Sequence, residues 1–394
     1  MNIEYTPQQI ALQRDVRAYM ADLMTPALRQ EMKNPEYSEG GGPEFRKQYA
    51  KMGADGWISL SWPAALGGKE ASPMDQYIFT EEVLASGFAY PFLTTDAVGP
   101  VLLEYANDEV RDEAVTRILQ GQAVVAIGYS EPGAGTDLAS LTTKAERHGD
   151  DWIINGQKMW TSLANFSDYI WLAARTDPDP ARKHKGLTMF LVPIDTPGVS
   201  LTPVWTLGVR TNASYFENVR LPDKYRVGEV NKGWRLITGQ LNRERLSLVN
   251  HGPVHKLFTE VAQWAAVTAN TDGGTLLDKA WVQHNLAKVK VQLEALKLMC
   301  LKQAWAMTEG NLGMAEASAA KVYGSEFFVE AYRLLLEIMG HAGIIHADSP
   351  GAILQGKLEH RYRVGSILTF GGGANEVQRD IISAAGLWMP RASR

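Results

Sequence analysis

Residues 151–162, DWIINGQKMWTS, decide the class of fold. Asp151-Trp152-Ile153-Ile154 is a short β-type run, and Asn155-Gly156 behind it is a strong hairpin signal. Working outward, Val124 to Tyr129 is short and apolar, while Tyr169 to Ala174 and Leu187 to Val192 read as strands bounded by turns. Val199 to Val204 and Ala213 to Phe216 carry the pattern on toward Leu221-Pro222. Short strands at short intervals predict a compact sheet, not the strand and long-helix alternation of a dinucleotide-binding unit.

On both flanks the apolar spacing becomes helical. Ile10, Leu12, Val16, Tyr19 and Met20 are spaced for one face, with Pro7 suited to a first turn; Met74, Ile78, Phe79 and Val83 mark another helix, and Ala97 to Gly121 one or two more. Beyond Gly228, Leu286, Val289, Leu293, Leu296 and Cys300 form one stripe, and Phe327, Ala331, Leu334, Leu335 and Ile338 a second, as in a bundle core. The expectation is an α+β chain with an amino-terminal helical domain over 1–121, a middle β domain over 122–227 and a carboxyl-terminal helical bundle over 228–394.

Charge and composition narrow the function. With 39 Lys plus Arg against 44 Asp plus Glu, the net charge of −5 over 394 residues gives no general electrostatic reason to bind nucleic acid. Cys300, the one cysteine, has no internal partner and fits a reducing compartment. No run of 18 residues is free of charge, and the opening MNIEYTPQQIALQRD lacks the basic end and apolar core of a secretion signal. No membrane span and a cytoplasmic location are therefore expected.

Four segments carry candidate chemistry. In Tyr129-Ser130-Glu131-Pro132-Gly133-Ala134-Gly135-Thr136-Asp137 the glycines permit close backbone approach, and N–H and hydroxyl groups could meet a flavin carbonyl or a phosphate; a plain Gly-rich connection fits as well. Trp160 could stack on an extended aromatic cofactor with Ser162 bonding its polar edge, or it could be a packed core residue. Ile237, Leu241, Glu244 and Leu248 share a helix face, which sets a carboxylate among apolar groups: a base with a raised pKa, or an ion pair with Arg243 or Arg245. In Thr369 to Arg379 a triple glycine joins a predicted helix start that Asn375 could cap and Glu376 would enter. His251 and His255 lie four apart without other ligands at metal-site spacing, so a structural role is expected.

Taken together, YSEPGAGTD, INGQKMWTS, the Glu244 helix and GGGANEVQR resemble, in family order and over nearly the whole chain, an acyl-CoA dehydrogenase. That resemblance implies helical, β and helical domains, FAD, an acyl-CoA substrate and electron transfer to an electron-transfer flavoprotein. It implies flavin contacts at Ile127, Gly128, Tyr129, Ser130, Thr136, Trp160, Ser162 and Glu376, and a substrate-side position for Arg245. Many members place the catalytic glutamate in a Tyr-Glu-Gly motif, where this chain has Gly371-Gly372-Gly373; a minority place it on the first long helix of the last domain, which Asn242-Arg243-Glu244-Arg245 matches. Glu244 is thereby the implied base.

Homotetrameric members also carry an Arg-x-x-Phe-Gly signature whose arginine reaches the flavin pyrophosphate of a neighbour. Here the segment Thr271-Asp272-Gly273-Gly274-Thr275-Leu276-Leu277-Asp278-Lys279 lacks it. The chain is in this respect similar to the glutamate-bearing subunit of α2β2 heterotetrameric enzymes with which actinobacteria oxidise short sterol side chains, and a homologous partner subunit is implied. The implied reaction is α,β-dehydrogenation of an acyl-CoA thioester to a trans-2-enoyl-CoA during steroid or cholesterol catabolism. An oxygen-using flavoenzyme of the same fold and a non-catalytic subunit that stabilises a flavoprotein are the alternatives.

Overall fold

The computed structural model describes residues 4–34 and 36–390; the side chains at positions 180 and 242–246 lie outside the described ones. Ahead of the sheet come helices α1 (Pro7–Leu23), α2 (Pro26–Glu31), α3 (Pro43–Ala54), α4 (Pro73–Ser86), α5 (Gly99–Tyr105) and α6 (Asp108–Leu119). The strands are β1 (Val125–Gly128), β2 (Lys144–His148), β3 (Asp151–Lys158), β4 (Tyr169–Arg175), β5 (Leu187–Pro193), β6 (Val199–Trp205), β7 (Arg210–Pro222) and β8 (Arg226–Val227). After them come α7 (Gly233–Leu248), α8 (Gly252–Val267), α9 (Ala280–Thr308), α10 (Met314–Met339), α11 (Lys357–Gly365) and α12 (Asn375–Ile381).

Local chemistry starts the helices where the sequence places them. The Thr6 hydroxyl accepts the N–H of Gln9 while the Gln9 side chain accepts the N–H of Thr6, and Pro7 fills the first turn of α1. Ser72 and Asp75 repeat the reciprocal cap ahead of α4. A cap of this kind is worth about 1 kcal/mol. Along α1, Val16, Met20 and Leu23 are buried but Ile10 is exposed. Six residues separate Ile10 from Val16, a rotation of about 240° that carries it off the buried face.

Contacts divide the chain into two compact units. The first joins the segment ending at Met24, Ser72–Phe88 and the chain from Arg245 onward; the second joins Thr25–Ala71 to Ala89–Glu244. In the first unit, α4, α8, α9 and α10 bury one another's stripes, and both expected sets, Leu286 to Cys300 and Phe327 to Ile338, lie in one apolar cluster. His251 is structural there: its ring nitrogens meet the Tyr77 hydroxyl at 2.9 Å and the Glu81 carboxylate at 3.1 Å.

The second unit is built on a sheet ordered β6-β7-β3-β2-β4-β5-β8, with β1 pairing parallel to β4. β4 and β5 are buried at each of their first six residues, which is why both read as unbroken apolar runs. Asn155-Gly156 is not the expected hairpin turn. β3 runs straight through it with a register shift against β7, and Gly156 takes a φ of 147° where a Cβ would meet Thr143 Oγ1 at 2.6 Å. The β2–β3 hairpin turns instead at Gly149-Asp150, between the paired His148 and Asp151. The bulge lies on β7, where Glu217 and Asn218 stand opposite the single Asn155, and Gly156 beside it lets β3 lie close to Thr143.

Candidate active site

The loop from Tyr129 to Asp137 leaves the end of β1. Gly128 is required there, because a Cβ would lie 2.9 Å from Ile170 Cγ2 and 3.3 Å from Leu172 Cδ1. Glu131 and Ala134 exchange both backbone hydrogen bonds, at 2.9 and 3.1 Å, and throw the crest of the loop outward. Gly133, Gly135 and Thr136 are exposed on that crest, with nothing within 4 Å of where the glycine Cβ atoms would stand. Space above the glycines is therefore open to a ligand's close approach.

A buried ion pair underlies the loop. Lys158 Nζ lies 2.8 Å from Glu131 and donates also to the Tyr129 carbonyl at 3.0 Å. Glu131 accepts in addition from the N–H and hydroxyl of Thr142 and from the N–H of Thr143. Burial alone would raise the Glu131 pKa, but the Lys158 charge and these hydrogen bonds outweigh it and hold the carboxyl well below its ordinary range. Burial pushes the Lys158 ammonium down. The Met159 N–H bonds to the Ser130 carbonyl at 2.8 Å, so the two motif segments are tied through backbone as well as charge.

Trp160 follows at once, and its setting overturns the packed-core alternative. The residue takes a left-handed φ of 66° and its side chain is 54% exposed. Thr161, by contrast, is buried: its N–H donates to the Asn212 carbonyl and its hydroxyl accepts from Ser214. Ser162 is partly exposed and shares a hydrogen bond with Thr211 at 3.1 Å. A large apolar ring is thus displayed by a strained backbone fixed on one side to the sheet, which suits a surface that a flat ligand covers.

Ile127 is partly exposed at the edge of this region, and Tyr129 is buried. The Tyr129 hydroxyl accepts from the Trp171 indole N–H at 2.8 Å and donates to Gln240 Oε1 on α7 at 2.9 Å. Glu244 and Arg245 lie on α7, one turn after Gln240; their side chains are outside the described ones.

The remaining predicted residues belong to the first unit. Glu376 is exposed in the first turn of α12, but Asn375 does not cap that helix as expected. Ala374 holds the capping position without a side-chain bond, while the buried Asn375 amide accepts from Lys321 at 2.8 Å and donates to Ser325 and Glu326. A lysine buried on α10 needs those acceptors more than the helix end does. Gly372 and Gly373 have φ of 67° and 103°, a conformation that glycine alone takes readily. In the 271–279 segment the single cation, Lys279, is ion-paired with Asp272.

Comparison with known proteins settles the family. Profiles of the amino-terminal, middle and carboxyl-terminal domains of acyl-CoA dehydrogenases match residues 6–122, 126–219 and 231–387. The chain belongs to the acyl-CoA dehydrogenase family. It is 48% identical to acyl-CoA dehydrogenase FadE26 and 40% identical to acyl-CoA dehydrogenase FadE29, both of Mycobacterium tuberculosis, over the full length of each pair. Among solved structures it is similar to a chain of the ChsE4–ChsE5 complex of M. tuberculosis (48% identity, TM-score 0.92) and to a chain of the Tcur3481–Tcur3483 steroid ACAD (42%, 0.92), covering all of each chain.

An acyl-CoA dehydrogenase is an FAD-dependent oxidoreductase, and the second unit fits a flavin on its own features: the displayed Trp160 ring, the open crest over Gly133 and Gly135, and the exposed Thr136. No described helix is long and apolar enough to cross a membrane, and no metal-binding group of three or more His, Cys, Asp or Glu occurs among the described residues. Sequence reasoning missed Lys158, Glu131 and Gln240 as organisers of this site. Lys158 left a trace: it shares the parity of buried Trp152 and Ile154 along β3, which aims a lysine inward. Gln240 left none, since a glutamine on an amphipathic helix reads as surface.

Proposed function

We propose that this chain is the base-bearing subunit of a heterotetrameric acyl-CoA dehydrogenase that introduces a trans-α,β double bond into a short steroid side chain carried as its CoA thioester. The observation that carries this reading is the pairing of Gly371-Gly372-Gly373, which offers no proton acceptor at one family position for the base, with a glutamate at the other, Glu244. The steroid substrate and the two-chain assembly are supported by the 42% identity to the Tcur3481–Tcur3483 steroid ACAD and the 48% identity to a ChsE4–ChsE5 chain. Without an unpaired cation in 271–279, the chain suits a partner that supplies the pyrophosphate arginine.

In this reading Ile127, Gly128, Tyr129, Ser130, Thr136, Trp160, Ser162 and Glu376 form the flavin contacts and Arg245 flanks the substrate. Glu244 removes the proton α to the thioester carbonyl, whose acidity rises as hydrogen bonds stabilise the enolate-like oxygen. FAD supplies the acceptor for the hydride leaving the β carbon. Trp160 and the rigid loop beneath it hold the two transfers in line. The electrons would pass on to an electron-transfer flavoprotein, and the cytoplasm is the proposed location.

The decisive experiment mixes the complex purified from native cells, without oxygen, with a CoA thioester of a three-carbon steroid side chain. Rapid bleaching of the flavin with formation of the enoyl-CoA is expected. Bleaching by straight-chain acyl-CoA alone would remove the steroid assignment, and no bleaching by any thioester would remove the dehydrogenase reading of this chain.

A further inference from the structure

We propose that Tyr129 and Gln240 are positioning residues that together fix helix α7, and with it Glu244, against the flavin-side strand. The inference rests on the reading of Glu244 as the base and of the 127–136 segment as the flavin side. It gives the Tyr129 phenol oxygen, whose two bonds go to Trp171 and Gln240, a role separate from that residue's place in the flavin-side backbone.

Tyr129 is held at both ends. Its carbonyl accepts from Lys158 Nζ at 3.0 Å, and its phenol oxygen accepts from Trp171 Nε1 at 2.8 Å. An indole N–H can only donate, so the one phenolic proton is left to point elsewhere. It points to Gln240 Oε1, 2.9 Å away, and thereby sets which way round the Gln240 amide lies. Trp171 itself is fully buried in β4, in register with Ile127 of the parallel β1 pair. The chain of bonds therefore runs from the sheet, through the residue that ends the flavin-side strand, into α7.

Gln240 is fully buried, and Glu244 follows four residues later, a rise of about 6 Å along one continuous helix. A helix turn is stiff over that distance, so a shift at Gln240 is passed on to Glu244 almost undiminished. Apolar residues of similar size at both positions would fill the same space but leave the buried Trp171 indole N–H without this acceptor and α7 without a fixed direction. Three polar groups in a buried line instead specify one orientation, because the bonds at 2.8 and 2.9 Å form only in it. Such a device sets the distance between base and flavin before substrate arrives.

The test uses the FAD-loaded complex with Tyr129→Phe, Gln240→Leu, the double variant and Glu244→Gln. For each, bound FAD, substrate affinity from the flavin spectrum and the rate of flavin reduction are measured. Amide hydrogen exchange in α7 is followed on the FAD-free proteins. Both single variants should keep FAD and substrate affinity, reduce flavin about ten- to a hundredfold more slowly, and exchange faster along α7. The double variant should be no slower than the slower single. Parental reduction rates, losses that multiply in the double variant, or release of FAD from both single variants would overturn the proposal while leaving an inactive Glu244→Gln to uphold the base. Parental reduction in Glu244→Gln would overturn the base assignment and this inference with it.

Discussion

Lys158 and Glu131 meet at 2.8 Å with side chains 0% and 5% exposed, beneath the two loops that the site is made from. Truncating one partner strands a buried charge, so Lys158→Met should cost about 3–5 kcal/mol, whereas Lys158→Met combined with Glu131→Leu should recover much of that loss. Urea unfolding of the FAD-free protein gives both numbers. A double variant as unstable as Lys158→Met would show that the pair does more than neutralise itself.

The same carboxyl shapes the response to acid. Glu131 is brought to about 2 in the folded chain from an ordinary 4.5, because its bonds to Lys158, Thr142 and Thr143 outweigh the upward push of burial. Its folded value lies below the unfolded one, so the unfolded chain takes up the proton first as pH falls. The stabilisation is fully present above pH 4.5 and drains away toward pH 2. Glu131→Gln should flatten this acid limb in a series of urea midpoints; a limb as steep as the parent's would assign it to other carboxylates.

Trp160→Ala should separate cofactor binding from folding. With the indole 54% exposed, its loss opens no cavity in the fold, and thermal unfolding of the FAD-free protein should barely change. FAD affinity should fall by about 1–3 kcal/mol, with a shifted flavin absorbance. Equal losses in both measurements would return Trp160 to the core.

Glu244→Gln should retain FAD and fold while nearly abolishing flavin reduction by substrate, since an amide of the same size cannot accept the α proton. Stopped-flow absorbance under anaerobic conditions reads this directly. Reduction at the parental rate would mean that another group is the base.

Cys300 is fully buried in the α9 stripe, and burial raises its thiol to about 12. Thiol-specific reagents act on the thiolate. The native chain should therefore stay unlabelled at pH 8 and take up one equivalent once unfolded in urea. Prompt labelling of the native chain would mean that the helices around α9 open readily.

Native mass spectrometry with extracted-flavin analysis should find two copies of this chain, two of a homologous partner and about two FAD per four chains, if each composite site needs an arginine that 271–279 does not offer. A fully active homotetramer with four FAD would contradict the division of labour.

Periodicity made the architecture legible. The stripes on α9 and α10 and the apolar runs of β4 and β5 record burial on one face and on two, and a sequence carries that record in plain view. Asn155-Gly156 misled because the freedom of Gly156 serves a close strand approach opposite a β7 bulge as well as it serves a turn. Asn375 misled for a different reason: capping is a local preference, and a buried Lys321 some 54 residues away outbid it. Trp160 could be read as core or as display, and only the sheet that fixes Thr161 beside it decides between them.

The parallel pairing of β1 with β4 has a consequence for how the protein reaches its folded state. Between these strands the chain must make the 129–137 loop, complete the β2–β3 hairpin and pass Trp160, before Val124 can donate to Asp168, 44 residues on. The hairpin is local and closes early, whereas the pairing that seats β1 has to overcome the entropy of closing that long excursion. Refolding followed by far-ultraviolet dichroism should recover strand signal before tryptophan fluorescence reports the burial of Trp171 on β4. The flavin-side loop is then among the last parts of the sheet unit to form, and a nascent chain would be blind to its cofactor until the sheet around it is finished.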